Sequence, residues 1–152
     1  MASWLRAAAV TAVVIALDQA TKALVRANVA PGDRDGVLPG IEIVRVRNEG
    51  VAFNQLAGGG TIVTIVVGAA LLALLVYFVT HVHKPLVWLP TGMLLGGALG
   101  NIIDRIRDGA VTDFIKLPAW PAFNVADVSI TFGVLVLLYV IERSPDGAAR
   151  HA

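Results

Sequence analysis

Long stretches free of Asp, Glu, Lys and Arg alternate along this chain with short polar clusters, and the clusters fall where the apolar runs end. Residues 62–80 and 85–103 carry no charged side chain. A helix needs about 20 mostly apolar residues to cross a hydrocarbon core of ~30 Å, so each of these runs reaches across once its flanks are included. Two further runs are shorter. The first, from Trp4 to about Val29, is apolar only from Ala7 to Leu17 before Asp18 interrupts it. The last, from Val128 to Ile141, becomes long enough if its helix starts near Asn124 and takes in Asp127. The pattern predicts an all-α integral membrane protein, a single domain over residues 1–152, with four spans at about 4–29, 61–80, 85–106 and 124–142.

Arg6 followed by an apolar stretch also fits a secretory signal peptide. No clear Ala-x-Ala site follows, however, and Asp18, Gln19, Thr21 and Lys22 continue the segment at helical spacing, which favours a retained helix. Between the first two spans, at about 30–60, PGD, DG and PG mark turns around Ile41, Ile43 and Val46, and a small sheet is expected there. Residues 81–84 read as a tight turn. The third connection runs through VTDFIKLPAWPAFNVAD (111–127), which places two carboxylates, Asp113 and Asp127, on either side of a Pro- and Trp-containing link. Four spans put both termini on one side of the membrane and the long connections on the other.

Composition agrees with the bilayer as solvent: 57% of residues are apolar and 15% charged. The chain has no cysteine, so disulfides, thiolate metal sites and a Cys nucleophile are excluded. A formal net charge of +1 without a basic run gives no field to hold nucleic acid. Orientation is less direct. Eight cations, from Lys22 to Lys116, lie on the loop side against Arg6, Lys84, Arg143 and Arg150 on the terminal side, so the positive-inside count places the loops inside. Nine of the eleven carboxylates share the loop side and can pair with those cations, which weakens the count and locates any chemistry there.

Several constellations carry candidate chemistry. Asp18 and Lys22, four apart, share a helix face; they can form a structural ion pair or orient groups near a site, and in either role they should face protein rather than lipid. GGALGNIIDR (96–105) joins small residues that permit close helix packing to Asn101, Asp104 and Arg105. It does not read as a nucleotide loop, because no strand precedes it and the Gly spacing is wrong. NEGVAF (48–53) by itself is ordinary turn chemistry. His81 and His83 lie on the opposite side from the acidic cluster, which argues against a metal site. Asp113 and Asp127 are the sharpest candidates. Two carboxylates at membrane depth relieve their desolvation by sharing one proton, and such a pair supplies both a base for water and an acid for a leaving amine. The plainer alternative is helix capping by Asp127 or Asn124, with Asp113 a loop carboxylate. Spacing alone leaves both open.

Taken in order, DQATK (18–22), NEGVAF (48–53), GGALGNIIDR (96–105), VTDF (111–114) and FNVAD (123–127) resemble the motif set of lipoprotein signal peptidase, signal peptidase II, over nearly the whole chain. The resemblance implies a monomeric aspartyl endopeptidase of the bacterial inner membrane. Such an enzyme acts on diacylated prolipoproteins among membrane lipids, cleaves before the lipidated cysteine, uses no cofactor or metal and is inhibited by globomycin. Carried over by motif, Asp113 and Asp127 are the catalytic pair, and Asp18, Lys22, Asn48, Gly50, Asn101, Asp104, Arg105 and Asn124 hold substrate or support the site. The family also implies an extracytoplasmic β-cradle between helices 1 and 2, cytoplasmic termini, and an active site at the outer face, against the raw charge count. Two departures stand out: the connection between the aspartates is several residues shorter than usual, and Thr112 replaces the more usual Val. Both bear on the shape of the loop over the site. The rival readings are a small carboxylate-based proton or ion transporter, which would need polar residues through the membrane depth, and an inert lipid-binding scaffold.

Overall fold

The structure is a computed structural model and describes residues 2–49 and 59–143. The four apolar runs form helices: α1 (Ala2–Asn28), α2 (Gly59–His81), α3 (Trp88–Asp108) and α4 (Val125–Glu142). Among the described residues, α1 and α4 are long and apolar enough to cross a membrane. α3 is less apolar because it is the central packing element. It lies against both α1 and α4, and its buried residues are Pro90, Thr91, Gly92, Gly96, Gly97, Gly100, Asn101 and Asp104. Those glycines are contact surfaces: a Cβ at Gly92 would lie 2.6 Å from the Val10 Cβ, and one at Gly96 2.7 Å from that of Val14, so α1 sits directly on the α3 backbone. α2 joins the bundle at its far end, where Phe78 packs with Ala7, Val87 and Val140. α3 begins at Trp88, three residues after Pro85, because the chain first makes a turn in which Leu86 adopts a positive φ of 65°.

The expected sheet is present but is not confined to the connection between helices 1 and 2. β1 (Arg34–Leu38) and β2 (Ile41–Asn48) form an antiparallel hairpin, and a third strand, β3 (Val111–Lys116), comes from between α3 and α4 to complete the order β1-β2-β3. Asp113 therefore lies on a strand and not in a loop. Sequence reading missed β3 because VTDFIK is too short to show alternation, and its first four residues, Val111 to Phe114, are all buried. The sheet is fastened to the end of α1 by Val25 and Val29 packing on Phe114, with Ile43, Ile115 and Val125 around them. Gly109, at φ 72°, ends α3 by donating its N–H to the Arg105 carbonyl, and two residues later the chain is in β3. That abrupt stop sets β3 against the polar end of α3.

Candidate active site

Asp113 is delivered by strand register. Val46 of β2 pairs with Asp113 and Asn48 pairs with Val111, so Asn48 sits diagonally from Asp113 on the same face. Its Nδ2 donates to Asp113 Oδ2 at 2.9 Å. Asp127 is delivered by helix capping. Asn124 is the N-cap of α4: its Oδ1 accepts the Asp127 N–H at 3.0 Å, while Asp127 Oδ2 accepts the Asn124 N–H at 3.2 Å.

The short connection brings the two carboxylates together. After β3 the chain turns through Pro118, Ala119 at φ 56°, Trp120 and Pro121, and folds back so that Phe123 pairs with Ile115 in both directions, at 2.8 and 3.0 Å. The next residue, Asn124, thereby lands beside Asp113, and its Nδ2 donates to Asp113 Oδ1 at 2.7 Å. Asn124 thus holds Asp113 through its side chain and Asp127 through its backbone. Asn101 closes the network, donating to Asp127 Oδ1 at 2.9 Å and accepting from Asn124 Nδ2 at 3.2 Å.

The two aspartates are not equivalent. Asp113 is 2% exposed and Asp127 is half-buried. Burial pushes the Asp113 carboxyl up to about 6, and the nearby Asp127 adds to the rise, while hydrogen bonds from Asn48 and Asn124 and the charge of Lys22 oppose it. The pair therefore contains one carboxyl poised to carry a proton near neutrality.

Behind the asparagines lies a fully buried ionic cluster. Lys22, Asp18 and Asp104 are each 0% exposed, with Lys22 Nζ 2.8 Å from Asp18 Oδ2, 3.1 Å from Asp104 Oδ2 and 2.9 Å from Asn101 Oδ1. Eight of the residues singled out in the sequence thus converge: Asp18, Lys22, Asn48, Asn101, Asp104, Asp113, Asn124 and Asp127. Arg105 does not join them, being exposed with its Nη1 on the Asn101 carbonyl at 3.4 Å. Gly50 lies outside the described residues.

Sequence reasoning left out three contributors. Gln19 Nε2 reaches both Asp18 and Asp104, at 3.1 and 3.0 Å. Its polarity at the depth of Asp18 was the available signal, but a neighbouring position points about 100° round the helix and looks unrelated to it. Arg26 Nη1 donates to Thr112 Oγ1 at 3.1 Å, so the unusual Thr112 gains a partner that a Val could not provide. Gly100 is needed because a Cβ there would stand 2.6 Å from Asp18 Oδ2. Among the described residues, no group of three or more His, Cys, Asp or Glu side chains is arranged to hold a metal ion.

The family model described as Signal peptidase (SPase) II matches residues 10–142. The chain belongs to the signal peptidase II family. Among relatives named lipoprotein signal peptidase, that of Moorella thermoacetica is 40% identical over 128 residues, covering 83% of this chain and 85% of the relative. That of Halothermothrix orenii is 35% identical over 140 residues, covering 91% and 97%. A solved bacterial membrane enzyme, determined by the in meso method at 1.9 Å resolution, superposes with a TM-score of 0.83 at 31% identity, over 91% of this chain and 93% of its own. As a member of that family the chain is a peptidase and an integral membrane protein, mostly helical with a three-stranded antiparallel sheet.

The double role of Asn124 in this peptidase makes a stability prediction. Asn124→Ala removes the cap of α4 and a donor to buried Asp113, and is expected to cost about 2 to 4 kcal/mol. Asn124→Ser keeps a capping oxygen and should lose roughly half of that. Thermal unfolding of the two variants in detergent micelles checks the order.

Proposed function

We propose that this chain is a membrane aspartyl endopeptidase that removes the signal peptide from diacylglyceryl-modified prolipoproteins, cleaving just before the lipidated cysteine. The observation that carries the reading is Asn124 holding both carboxylates at once, Asp113 through its side chain at 2.7 Å and Asp127 through its backbone at 3.2 Å. Family membership and the name lipoprotein signal peptidase borne by its relatives support the substrate class.

In the proposed reaction a water lies between the two aspartates. The unprotonated carboxylate takes a proton from it, the hydroxide oxygen bonds to the scissile carbonyl carbon, and the protonated carboxyl stabilises the developing oxyanion. Collapse of the tetrahedral intermediate breaks the C–N bond, and a proton passes to the departing amine. The products are the free carboxylate of the signal peptide and the free amino group of the lipidated cysteine. Lipid anchoring of the substrate supplies proximity, since the diacylglyceryl chains stay in the bilayer while the peptide enters the polar notch beside α3 and α4. All four helices span in this reading, with cytoplasmic termini, the sheet and site at the outer face of the inner membrane, a monomeric enzyme, and inhibition by globomycin.

The transporter reading finds less support. The polar network gathers at one end of the bundle, and the far end is closed by Ala7, Phe78, Val87 and Val140. The deciding experiment is cleavage of a diacylated prolipoprotein by purified protein, read by gel shift, for wild type, Asp113→Asn and Asp127→Asn. Cleavage that survives in either variant overturns the assignment of the pair.

The same reading predicts a pH dependence. A dyad that works with one shared proton loses activity as pH rises past the point where that proton leaves. With Asp113 raised to about 6, kcat/KM should fall on the alkaline side with an apparent pKa at or somewhat above that value, the pKa belonging to the pair. A profile flat to about pH 9 would rule this proton inventory out.

A further inference from the structure

The buried cluster of Lys22, Asp18, Asp104 and Gln19 does more than satisfy its own charges, because each carboxylate has a second oxygen or lone pair committed elsewhere. Asp18 Oδ1 accepts the backbone N–H of Ala126 at 3.0 Å, one residue before Asp127. Asp104 Oδ2 accepts the backbone N–H of Thr112 at 3.1 Å, one residue before Asp113. Each arm therefore grips the main chain immediately next to one aspartate of the pair, one at the start of α4 and the other in β3.

The two arms are tied together twice. Lys22 Nζ has three N–H bonds to give and spends them on Asp18 Oδ2, Asp104 Oδ2 and Asn101 Oδ1. Gln19 Nε2 spans the same two carboxylates and adds the Gly100 carbonyl at 3.1 Å. The third bond of Lys22 leads through Asn101 to Asp127 Oδ1. Among the described residues no buried side-chain nitrogen or oxygen is left without a partner, so displacing either arm would break a buried hydrogen bond.

We infer that Lys22 is the hub of a clamp that fixes the separation of Asp113 and Asp127, with Asp18 and Asp104 as positioning residues on its two arms. A plain ion pair would need neither main-chain contact. A substrate-holding site would need these groups accessible, and all three are fully buried. The inference rests on the proposed aspartyl reaction, since it assigns the clamp to the spacing of that pair.

The test separates geometry from charge and from substrate contact. Asp104→Asn keeps an oxygen at the position that takes both the Thr112 N–H and Lys22, whereas Asp18→Asn keeps one for the Ala126 N–H but turns its NH2 toward Lys22 and Gln19; Asp18→Ala and Asp104→Ala keep neither. The Ala variants should lose kcat by about 10- to 100-fold, the scale expected for a displacement of about 1 Å, while KM stays within about threefold. Asp104→Asn should recover most of kcat, and Asp18→Asn, which loses Lys22, should not. Asp104→Glu retains charge and acceptor but lengthens the arm by one methylene; it should fold and still lose kcat by about tenfold. Wild-type kcat in Asp104→Glu or in a folded Ala variant overturns the clamp. So does a loss that Asp104→Asn fails to restore, wild-type kcat in Asp18→Asn, or a loss that appears in KM alone. Asp113→Asn and Asp127→Asn run in the same assay: if they stay active, the aspartyl reading fails. If they are dead while the arms are dispensable, only the clamp fails.

Discussion

Asp113→Asn is expected to abolish prolipoprotein cleavage and at the same time to make the protein more stable at alkaline pH. Loss of one member of an acid–base pair removes the 10²- to 10⁴-fold that such catalysis contributes, so the variant should fall to about 0.01–1% of wild-type kcat or lower. The stability gain comes from linkage. Asp113 has its folded-state pKa raised to about 6, so the folded state binds the proton more tightly than the unfolded one. Its stabilising contribution is fully present below the unfolded value and is lost as pH rises through about 6, which leaves a buried, ionised carboxylate at pH 8. A shift of about two pKa units corresponds to roughly 3 kcal/mol. The Asn amide offends one of the two donors, Asn48 or Asn124, that face Asp113, which takes back about 1 to 2 kcal/mol. The expected net gain is about 1 to 2 kcal/mol at pH 8, turning into a loss of about 1 to 2 kcal/mol near pH 4, where only the amide cost remains. Thermal unfolding of wild type and Asp113→Asn at the two pH values reads it directly. A variant less stable than wild type at pH 8 would contradict the burial argument. Asp127→Asn should be equally inactive, and its stability change is decided by the capping box instead.

Among the glycines whose surroundings are described, Gly97→Ala should be the most damaging single methyl addition. Its Cβ would stand 2.5 Å from the carbonyl oxygen of Ala126 and 2.7 Å from Ile130 Cγ1. The first of these is main chain and cannot rotate away, so α3 and α4 must separate at the residue before Asp127. Overpacking of this kind costs about 1 to 3 kcal/mol, and the accompanying displacement of Asp127 should reduce kcat by about 10- to 100-fold. Gly36→Ala is the matched control: its added Cβ meets nothing within 4 Å. Unfolding midpoints and gel-shift cleavage rates for the pair test the claim, and a Gly97→Ala enzyme indistinguishable from Gly36→Ala would refute the close approach of α3 and α4.

The proposed active site and the helix packing coincide because polar groups at a membrane boundary must be satisfied by protein. Asn101 illustrates this. It accepts from Lys22 and Asn124 and donates to Asp127, using side-chain atoms from three helices and the turn before α4 to complete a single hydrogen-bonded surface. Thr112, where the family resemblance implies Val, has partners for both its polar groups: the hydroxyl meets Arg26 at 3.1 Å while its backbone N–H is held by Asp104.

The sequence by itself determined the four helices, because uninterrupted apolar runs leave a backbone in lipid no other way to satisfy its own hydrogen bonds. It also offered Asp113 and Asp127 as a candidate pair, which spacing left open and the family resemblance singled out, and the capping role of Asn124, which depends only on residues three apart. It could not reveal that Asp113 sits on a strand, because β3 owes its conformation to β2, some 65 positions away at the Asn48–Asp113 contact. Nor could it say whether so short a connection lets the two aspartates meet. That was decided by the pairing of Phe123 with Ile115, which folds the link back on itself. The grip of Asp18 on the Ala126 N–H spans 108 positions. Helical periodicity and capping are local in the chain and can be read from it; convergence of groups this far apart exists only once helix packing, set by Gly96, Gly97 and Gly100, has brought the backbones into contact.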